Sequence, residues 1–359
     1  MKILIINQHK DDFLGGSELQ CDIIANYLTK FGHEVIYGAV NARKEKYDTI
    51  YQVYPLNHFN IFTLFSFFRR NNPDVIYWRF DRNKFLLSVL IAKILNIKFV
   101  FSVAHIDNLK IYPIKQIESD LHNKLRSIAS NIKRFFGIIN YLGFYFVDGI
   151  IVNNADWLES IPSFIDKRIT IRNSMSLTLS KEFQWERPFV LWVANIKKAK
   201  NPEDYIRLTD KLKDFNVDLL MVGKIQGREY NKILTKDNLP DNFYYLGPKT
   251  FPEVNSILKE SLFLVHTCSP EGFPNIFIQA WLLGKPTITL YFDPENIIER
   301  EGLGLYSGEF NNFVEDTKRL LKNKKKRHEM GEKAREFSRQ NFRPETNIKQ
   351  LETFLKNIK

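Results

Sequence analysis

The sequence predicts an α/β fold made of two Rossmann-like, doubly wound domains. Apolar runs of strand length alternate with segments of helical periodicity along the chain, which is typical of parallel sheets. This alternation stops at a polar stretch, residues 178–187, and then restarts. The length of 359 residues is enough for two domains. We therefore expect an N-terminal domain over 1–177 and a C-terminal domain over 178–339.

The N-terminal domain opens with a predicted βαβ unit. Residues 2–7 have the length and composition of a buried strand, and 34–40 of a second one. Between them Leu19, Ile23, Ile24, Tyr27 and Leu28 recur at helical spacing. Ser17 with Gln20 suggests a capping box, and Gly32 is placed as a helix-terminating glycine. Further strands are predicted at 74–78, 98–104 and 147–153.

The C-terminal domain repeats this pattern with short buried segments. Strands are predicted at 189–194, 217–223, 242–246, 262–267 and 286–290, and helices near 202–213, 228–236, 251–259 and 274–283. In open α/β sheets, ligands bind beyond the carboxyl ends of the strands. The loops at those ends are therefore where functional residues are expected.

Composition limits the location and the partners of the chain. Two cysteines cannot form a disulfide framework, and there is no 18-residue apolar stretch without charges, so we expect a cytoplasmic protein without a transmembrane helix. The net charge of +11 fits an anionic partner such as a phosphorylated ligand, an acidic membrane face or nucleic acid. Because no nucleic-acid reader motif is present, we expect no nucleic-acid partner.

The segment Ser269-Pro-Glu-Gly-Phe-Pro-Asn-Ile-Phe-Ile-Gln-Ala280 has the clearest signs of a binding site. It follows a predicted strand, and Pro274 suits the first turn of a helix. The helix would then begin with free backbone amides, which form an anion site directly after Gly272. These amides belong to Phe273, Asn275 and Ile276. Glu271 would lie at the entrance to this anion site, and Gln279 would lie about two turns further along the helix. On the local sequence alone, an ordinary strand–loop–helix joint explains these residues equally well.

This segment resembles the donor-site motif of family-four glycosyltransferases of the retaining GT-B type. The resemblance runs over nearly the whole chain and includes Gly15-Gly16-Ser17-Glu18, Gly32-His-Glu-Val35, Pro73-Asp-Val-Ile-Tyr77, Val147-Asp-Gly-Ile-Ile-Val-Asn153 and Trp192-Val-Ala-Asn-Ile-Lys-Lys-Ala-Lys-Asn-Pro202. It implies two Rossmann-like domains facing across a cleft, with the acceptor bound by the first and a nucleoside diphosphate sugar by the second. It also implies that a last helix near 340–359 returns to pack on the first domain. It also implies that Glu271 contacts sugar hydroxyls and that Lys200 stabilises the diphosphate.

Two positions depart from the family's pattern. Gln279 replaces the second glutamate, which contacts the ribose; an amide can accept from one ribose hydroxyl and donate to the other. Asn195 stands where the family has an arginine, and Lys197 or Lys198 could supply that charge instead. The chain could therefore also be a sugar-nucleotide binder without catalytic activity.

Four further residues are predicted to line the site. Gly15 and Gly16 precede a helix and would let the backbone approach a phosphate or sugar closely, although a tight turn explains them too. Gly223, at the end of a predicted strand, belongs to the predicted donor-binding residues. His105 ends the predicted strand 98–104, where the family tends to place a histidine near the reacting sugar. The dinucleotide fingerprint G-x-G-x-x-G is absent, which argues against NAD.

The resemblance implies transfer of a sugar to an acceptor hydroxyl with retention at the anomeric carbon, without a protein nucleophile. No D-x-D triplet occurs, so neither a metal nor another cofactor is expected. The family suggests bacterial surface polysaccharide, including lipopolysaccharide or other glycolipid assembly, and a lipid-linked or oligosaccharide acceptor. The apolar run 61–68, the basic segment 110–134 and the aromatic residues of 135–146 could lie on the anionic inner face of a membrane, but a core helix with a basic face is the commoner explanation.

Overall fold

A computed structural model describes the chain except for residues 14, 57–59, 83, 111–134, 136, 228, 235–238 and 359. The chain forms two compact units, one of Met1–Ser174 with Pro344–Lys359 and one of Met175–Arg343. The domain boundary predicted from the sequence, between 177 and 178, lies close to the observed one. The predicted return of the chain to the first domain, near 340, lies close to Pro344. The basic segment 110–134 of the sequence analysis lies, apart from its first residue, outside the described residues.

The first unit is built on a parallel sheet. In the described chain it has seven strands in the order β3-β2-β1-β4-β5-β6-β7. These are β1 Lys2–Asn7, β2 Glu34–Val40, β3 Gln52–Leu56, β4 Val75–Trp78, β5 Lys98–Val103, β6 Gly149–Val152 and β7 Arg168–Thr170, with helices α1 Gly16–Lys30, α2 Ile61–Asn71 and α3 Phe85–Ile94. Ile3 to Ile6 of the central β1 are wholly buried, as expected for a strand covered on both faces.

The start of α1 differs from the prediction. The helix begins at Gly16 with Gly15 as its N-cap, so the predicted capping box of Ser17 and Gln20 is wrong. The Ser17 hydroxyl instead accepts a hydrogen bond from the Asn7 amide of β1 at 3.1 Å. At the other end, Gly32 follows the C-cap with φ +84°, a conformation that glycine adopts without strain.

The second unit has its own parallel sheet. Its described strands have the order β10-β9-β8-β11-β12-β13. They are β8 Phe189–Val193, β9 Asp218–Val222, β10 Phe243–Tyr245, β11 Leu264–His266, β12 Thr287–Thr289 and β13 Gly304–Tyr306. The helices are α4 Pro202–Lys211, α5 Tyr230–Ile233, α6 Phe251–Glu260, α7 Asn275–Leu282, α8 Ile297–Arg300, α9 Phe310–Lys322 and α10 Lys324–Asn341. Within the described residues, α5 is much shorter than the helix predicted over 228–236.

A final helix, α11 Pro344–Asn357, belongs to the first unit, where it packs against α1. The Tyr27 hydroxyl of α1 donates to Glu345 at 3.0 Å, and Nε2 of His33 lies 3.0 Å from Oε1 of Glu352. Hydrogen bonds from Lys349 and Lys356 lower the pKa of Glu352 to about 2. The helix is therefore fixed to the first unit by polar contacts as well as by buried Ile348, Leu351 and Leu355.

Among the described residues, no helix combines the length and the apolar character that crossing a bilayer requires.

Candidate functional site

Two loops of the second unit meet at the carboxyl edge of its sheet. One follows β8 and the other follows β11, and these strands are neighbours in the sheet. The Asn201 amide donates to the Thr267 carbonyl at 2.9 Å and to the Ser269 hydroxyl at 3.2 Å. The amide N–H of Ser269 donates to the Ala199 carbonyl at 3.1 Å, and the Thr267 hydroxyl donates to the Lys200 carbonyl at 2.8 Å. The two loops therefore hold each other in place.

This arrangement brings Lys200 and Glu271 together. The Lys200 ammonium donates to Oε2 of Glu271, and the two side chains are only 16% and 26% exposed. Burial alone would raise the pKa of Glu271, but the His266 ring and the Lys200 ammonium outweigh it and hold the pKa at about 2. Burial would lower the pKa of Lys200, whereas the neighbouring Cys268 and Glu271 raise it. Both groups are therefore charged at neutral pH, which gives this edge a fixed cation and a fixed anion.

His266 is a member of the site that the sequence analysis missed. It ends β11, is 2% exposed, and its Nε2 lies 3.4 Å from Oε1 of Glu271. Its Nδ1 lies 3.3 Å from the Thr289 hydroxyl. Burial lowers the pKa of the His266 imidazole, which favours the neutral ring. The sequence did contain a sign of this role, because His266 is a polar residue inside the otherwise largely apolar run 262–267.

The loop after Glu271 leads into α7, which begins at Asn275 with Pro274 as its N-cap, not in its first turn as predicted. Phe273 is 3% exposed, and its ring packs against Trp281 and Phe342. Its side chain therefore anchors the loop in the core, and any part of Phe273 in donor binding falls to its backbone. With Gly272, the segment positions the α7 N-terminus directly after Glu271.

Gln279 lies on α7 and is 3% exposed. Its amide nitrogen donates to Oδ1 of Asn255 on α6 at 2.7 Å, and Asn255 in turn donates to the Thr178 carbonyl at 2.8 Å. This contact joins two helices and is not predicted by the local sequence of either one. It commits one N–H of the Gln279 amide inside the protein, and the amide oxygen is the atom that can accept from a ribose hydroxyl.

Replacing Gln279 with glutamate is therefore expected to destabilise the protein. A carboxylate oxygen would face Oδ1 of Asn255, and turning the Asn255 amide would break its bond to Thr178. A buried polar group left unsatisfied lowers the free energy of unfolding by about 1–3 kcal/mol. In a unit of this size, each kcal/mol lowers the melting temperature by about 2–4 °C. Thermal unfolding of Gln279→Glu checks this, with Gln350→Glu at an exposed position as control. Equal melting temperatures for Gln279→Glu and the parent protein would contradict it.

Gly223 and Asn195 lie beside this pair of loops. Gly223 follows β9 with φ +155°, and a Cβ there would be 1.8 Å from the Ala194 carbonyl oxygen. Glycine is therefore required for the close approach of the two chain segments. Asn195 follows at the end of β8 and is half-buried, whereas Lys197 and Lys198 are exposed. Of the lysines in this loop, Lys200 is the one brought against Glu271.

The other predicted site residues belong to the first unit. A Cβ on Gly15 would be 2.1 Å from Oε2 of Glu18, so this glycine makes room for the Glu18 carboxylate at the start of α1, next to Gly16. His105 follows β5, its side chain is 51% exposed, and its Nδ1 accepts a hydrogen bond from the Asp107 amide at 3.2 Å. The roles of His105, Gly15 and Gly16 stay predictions.

Comparisons with known proteins agree with this architecture. Residues 179–337 match the family described as glycosyl transferases group 1. The N-acetyl-α-D-glucosaminyl L-malate synthase of Bacillus anthracis is 25% identical over 210 residues, which are 56% of this chain and 54% of that protein. The match thus spans about half the length of this relative.

Two solved structures share the fold over nearly their full length. HepE from Anabaena, in complex with UDP and glucose, superposes with a TM-score of 0.73 at 16% identity and covers 99% of this chain and 100% of its own. WaaG, a glycosyltransferase involved in lipopolysaccharide biosynthesis, gives 0.70 at 11% identity, with 98% and 99% covered. Residues 179–337 therefore form a domain of the glycosyl transferases group 1 family, and the chain as a whole has the GT-B fold of glycosyltransferases.

Proposed function

We propose that this protein transfers a sugar from a nucleoside diphosphate sugar to an acceptor hydroxyl. The observation that carries the proposal is the ion pair of Lys200 and Glu271 at the carboxyl edge of the second sheet, inside the matched family domain. An ammonium and a carboxylate at one edge suit a ligand with an anionic diphosphate and a polyhydroxylated sugar. The HepE structure contains UDP and glucose, which favours a uridine diphosphate sugar as donor.

Each residue has a role that follows from its chemistry. Lys200 stabilises the negative charge that develops on the departing diphosphate, as a positioned cation does for a leaving group. The Glu271 carboxylate accepts hydrogen bonds from sugar hydroxyls and so orients the donor. The Gln279 oxygen accepts from the ribose, and the backbone from Gly272 to Asn275 contacts the diphosphate. Transfer proceeds with retention, the leaving phosphate taking the acceptor proton.

Transfer assays with defined donors test this proposal. The purified protein is incubated with UDP-glucose, UDP-N-acetylglucosamine or GDP-mannose and a panel of alcohols and oligosaccharides, and nucleoside diphosphate release is measured. We expect release with one UDP sugar, dependent on acceptor, and an α-linked product by proton NMR. Saturable UDP-sugar binding without turnover on any acceptor would favour the sugar-nucleotide binder instead. A β-linked product would exclude retention.

We further propose that the acceptor is held at the inner face of an anionic membrane, in surface-polysaccharide or glycolipid assembly. The first unit exposes several large apolar side chains near one another in sequence: Leu142, Tyr145 and Phe146 are 45%, 60% and 42% exposed. The Tyr145 ring stacks on the 43% exposed Phe164, with centroids 4.1 Å apart. Exposed aromatic side chains on a basic protein suit a membrane interface.

Co-sedimentation with phosphatidylglycerol vesicles checks the membrane proposal. The parent protein is expected to sediment with these vesicles and not with phosphatidylcholine vesicles. A variant with Tyr145→Ser and Phe164→Ser should stay largely in the supernatant, while Tyr306→Ser, an exposed tyrosine of the second unit, should sediment like the parent. Vesicle binding that is unchanged in the double variant would place the contact elsewhere.

A further inference from the structure

Glu271, besides pairing with Lys200, lies close to two other potential metal ligands, His266 and Cys268. The ligand atoms of His266, Cys268 and Glu271 are all within 4.8 Å of one another. In a tetrahedral zinc site, bonds of about 2.0–2.3 Å place neighbouring donor atoms roughly 3.3–3.7 Å apart. The 3.4 Å between Nε2 of His266 and Oε1 of Glu271 already meets this spacing. A small movement of the Cys268 sulfur completes the set.

The hydrogen bonds of Thr289 fix the orientation of the His266 ring. The Thr289 hydroxyl donates to the Phe292 carbonyl at 2.8 Å, so its oxygen accepts from His266, whose Nδ1 therefore carries the ring proton. Nε2, which lies 3.4 Å from Oε1 of Glu271, is then the ring atom positioned to bind a metal beside that carboxylate.

The surrounding contacts are those that support a ligated metal. A metal-binding histidine usually donates its other ring N–H to an oxygen, as His266 does to Thr289, and a ligating carboxylate is usually hydrogen-bonded in turn. Here Oε1 of Glu271 faces His266 while Oε2 accepts from Lys200. The ion pair with Lys200 can therefore persist while Oε1 binds a metal.

We infer that His266, Cys268 and Glu271 form an inhibitory site for a zinc-like divalent cation. A thiolate, an imidazole and a carboxylate together favour zinc over magnesium or calcium, which prefer oxygen ligands. Cys268 and His266 are 1% and 2% exposed, so the cation enters from the side of Glu271, where a water would complete its coordination. On binding, the Cys268 thiol releases its proton to solvent and the thiolate coordinates the metal.

The inhibition rests on the proposed function, because the metal occupies the Glu271 oxygen that would accept from the donor sugar. Binding of the metal does not depend on that function. The metal takes no part in sugar transfer, and the transfer reaction is expected to run without it.

Cobalt binding to the chelator-treated protein tests the site directly. Tetrahedral Co²⁺ absorbs visible light, and a cobalt–thiolate bond adds a charge-transfer band in the near ultraviolet. We expect one Co²⁺ per chain with both signals, and their displacement by Zn²⁺. Cys268→Ala should abolish the charge-transfer band, whereas Cys21→Ala, which removes the buried cysteine of the first unit, should keep it.

Thr289→Val separates a metal site from a merely structural cluster. It keeps the size of the side chain and removes the oxygen that orients His266, so Co²⁺ affinity is expected to fall about 10–100-fold. Circular dichroism confirms that each variant is folded. A folded parent protein without a cobalt–thiolate band, or a band that survives in Cys268→Ala, would overturn the site.

Inhibition is measured separately, as nucleoside diphosphate release from the UDP sugar with increasing Zn²⁺. We expect inhibition that excess UDP sugar relieves and that Cys268→Ala weakens at least tenfold. Cobalt binding without zinc inhibition of an active enzyme would overturn the regulatory role. If no donor is turned over at all, the proposed function fails, and the cobalt spectra still decide whether the metal site exists.

Discussion

Glu271→Gln is expected to lose sugar transfer almost completely while the protein stays folded. The change keeps the shape of the side chain but removes the charge that the Lys200 ammonium and the donor hydroxyls engage. Hydrogen bonds to an ionised acceptor are about twice as strong as neutral ones. By analogy with other positioned electrostatic groups, we expect kcat to fall about 10²–10³-fold. Steady-state kinetics with the active UDP sugar measure this.

Two comparisons make the Glu271 result specific. Glu260→Gln, at an exposed position on α6, should leave kcat unchanged. Thermal unfolding of Glu271→Gln should show one cooperative transition, so that loss of activity is not loss of fold. A purified, folded Glu271→Gln protein with the parent's turnover rate would remove Glu271 from the donor site.

Lys200→Ala is expected to weaken both the rate and the binding of the released nucleotide. The ammonium is held by Glu271 in a largely buried position, so it is in place before the diphosphate begins to leave. Losing such a group costs on the order of 2–4 kcal/mol of transition-state stabilisation. Kinetics give the loss in kcat/KM, and calorimetry with UDP gives the loss in affinity.

Lys198→Ala is the matched control for Lys200, because Lys198 is an exposed lysine of the same loop. It should change UDP affinity little. If Lys200→Ala binds UDP as the parent does while Lys197→Ala or Lys198→Ala binds it more weakly, the diphosphate is held by the exposed lysines and the role given to Lys200 is wrong.

The alternation of strands and helices was readable from the sequence because buried parallel strands are continuous apolar runs, as in Ile3 to Ile6. The strands it missed, β3, β7 and β13, lie at sheet edges and carry few buried apolar residues. The Pro55 in β3 is typical of such an edge, since proline cannot donate a ladder hydrogen bond.

Only part of the candidate site could be predicted from the sequence. Glu271 and Lys200 could be singled out by their positions after strands, but their contact depends on β8 and β11 being neighbours, which local sequence does not encode. Gln279 was interpreted without Asn255, because a partner on another helix leaves no sign at the helix itself. His266 was passed over because one histidine in an apolar strand is ordinarily a packed residue.

The position of α11 also sets the order in which the chain can fold. The second unit, Met175–Arg343, is continuous, so all of its residues are available once that stretch has been synthesised. The first unit has to wait for Pro344–Lys359, since α1 packs against α11. Until then the nascent N-terminal segment lacks the cover that Ile348 and Leu351 provide, which makes it a candidate for chaperone binding. The first unit therefore begins to be synthesised before the second unit but receives its last helix after it.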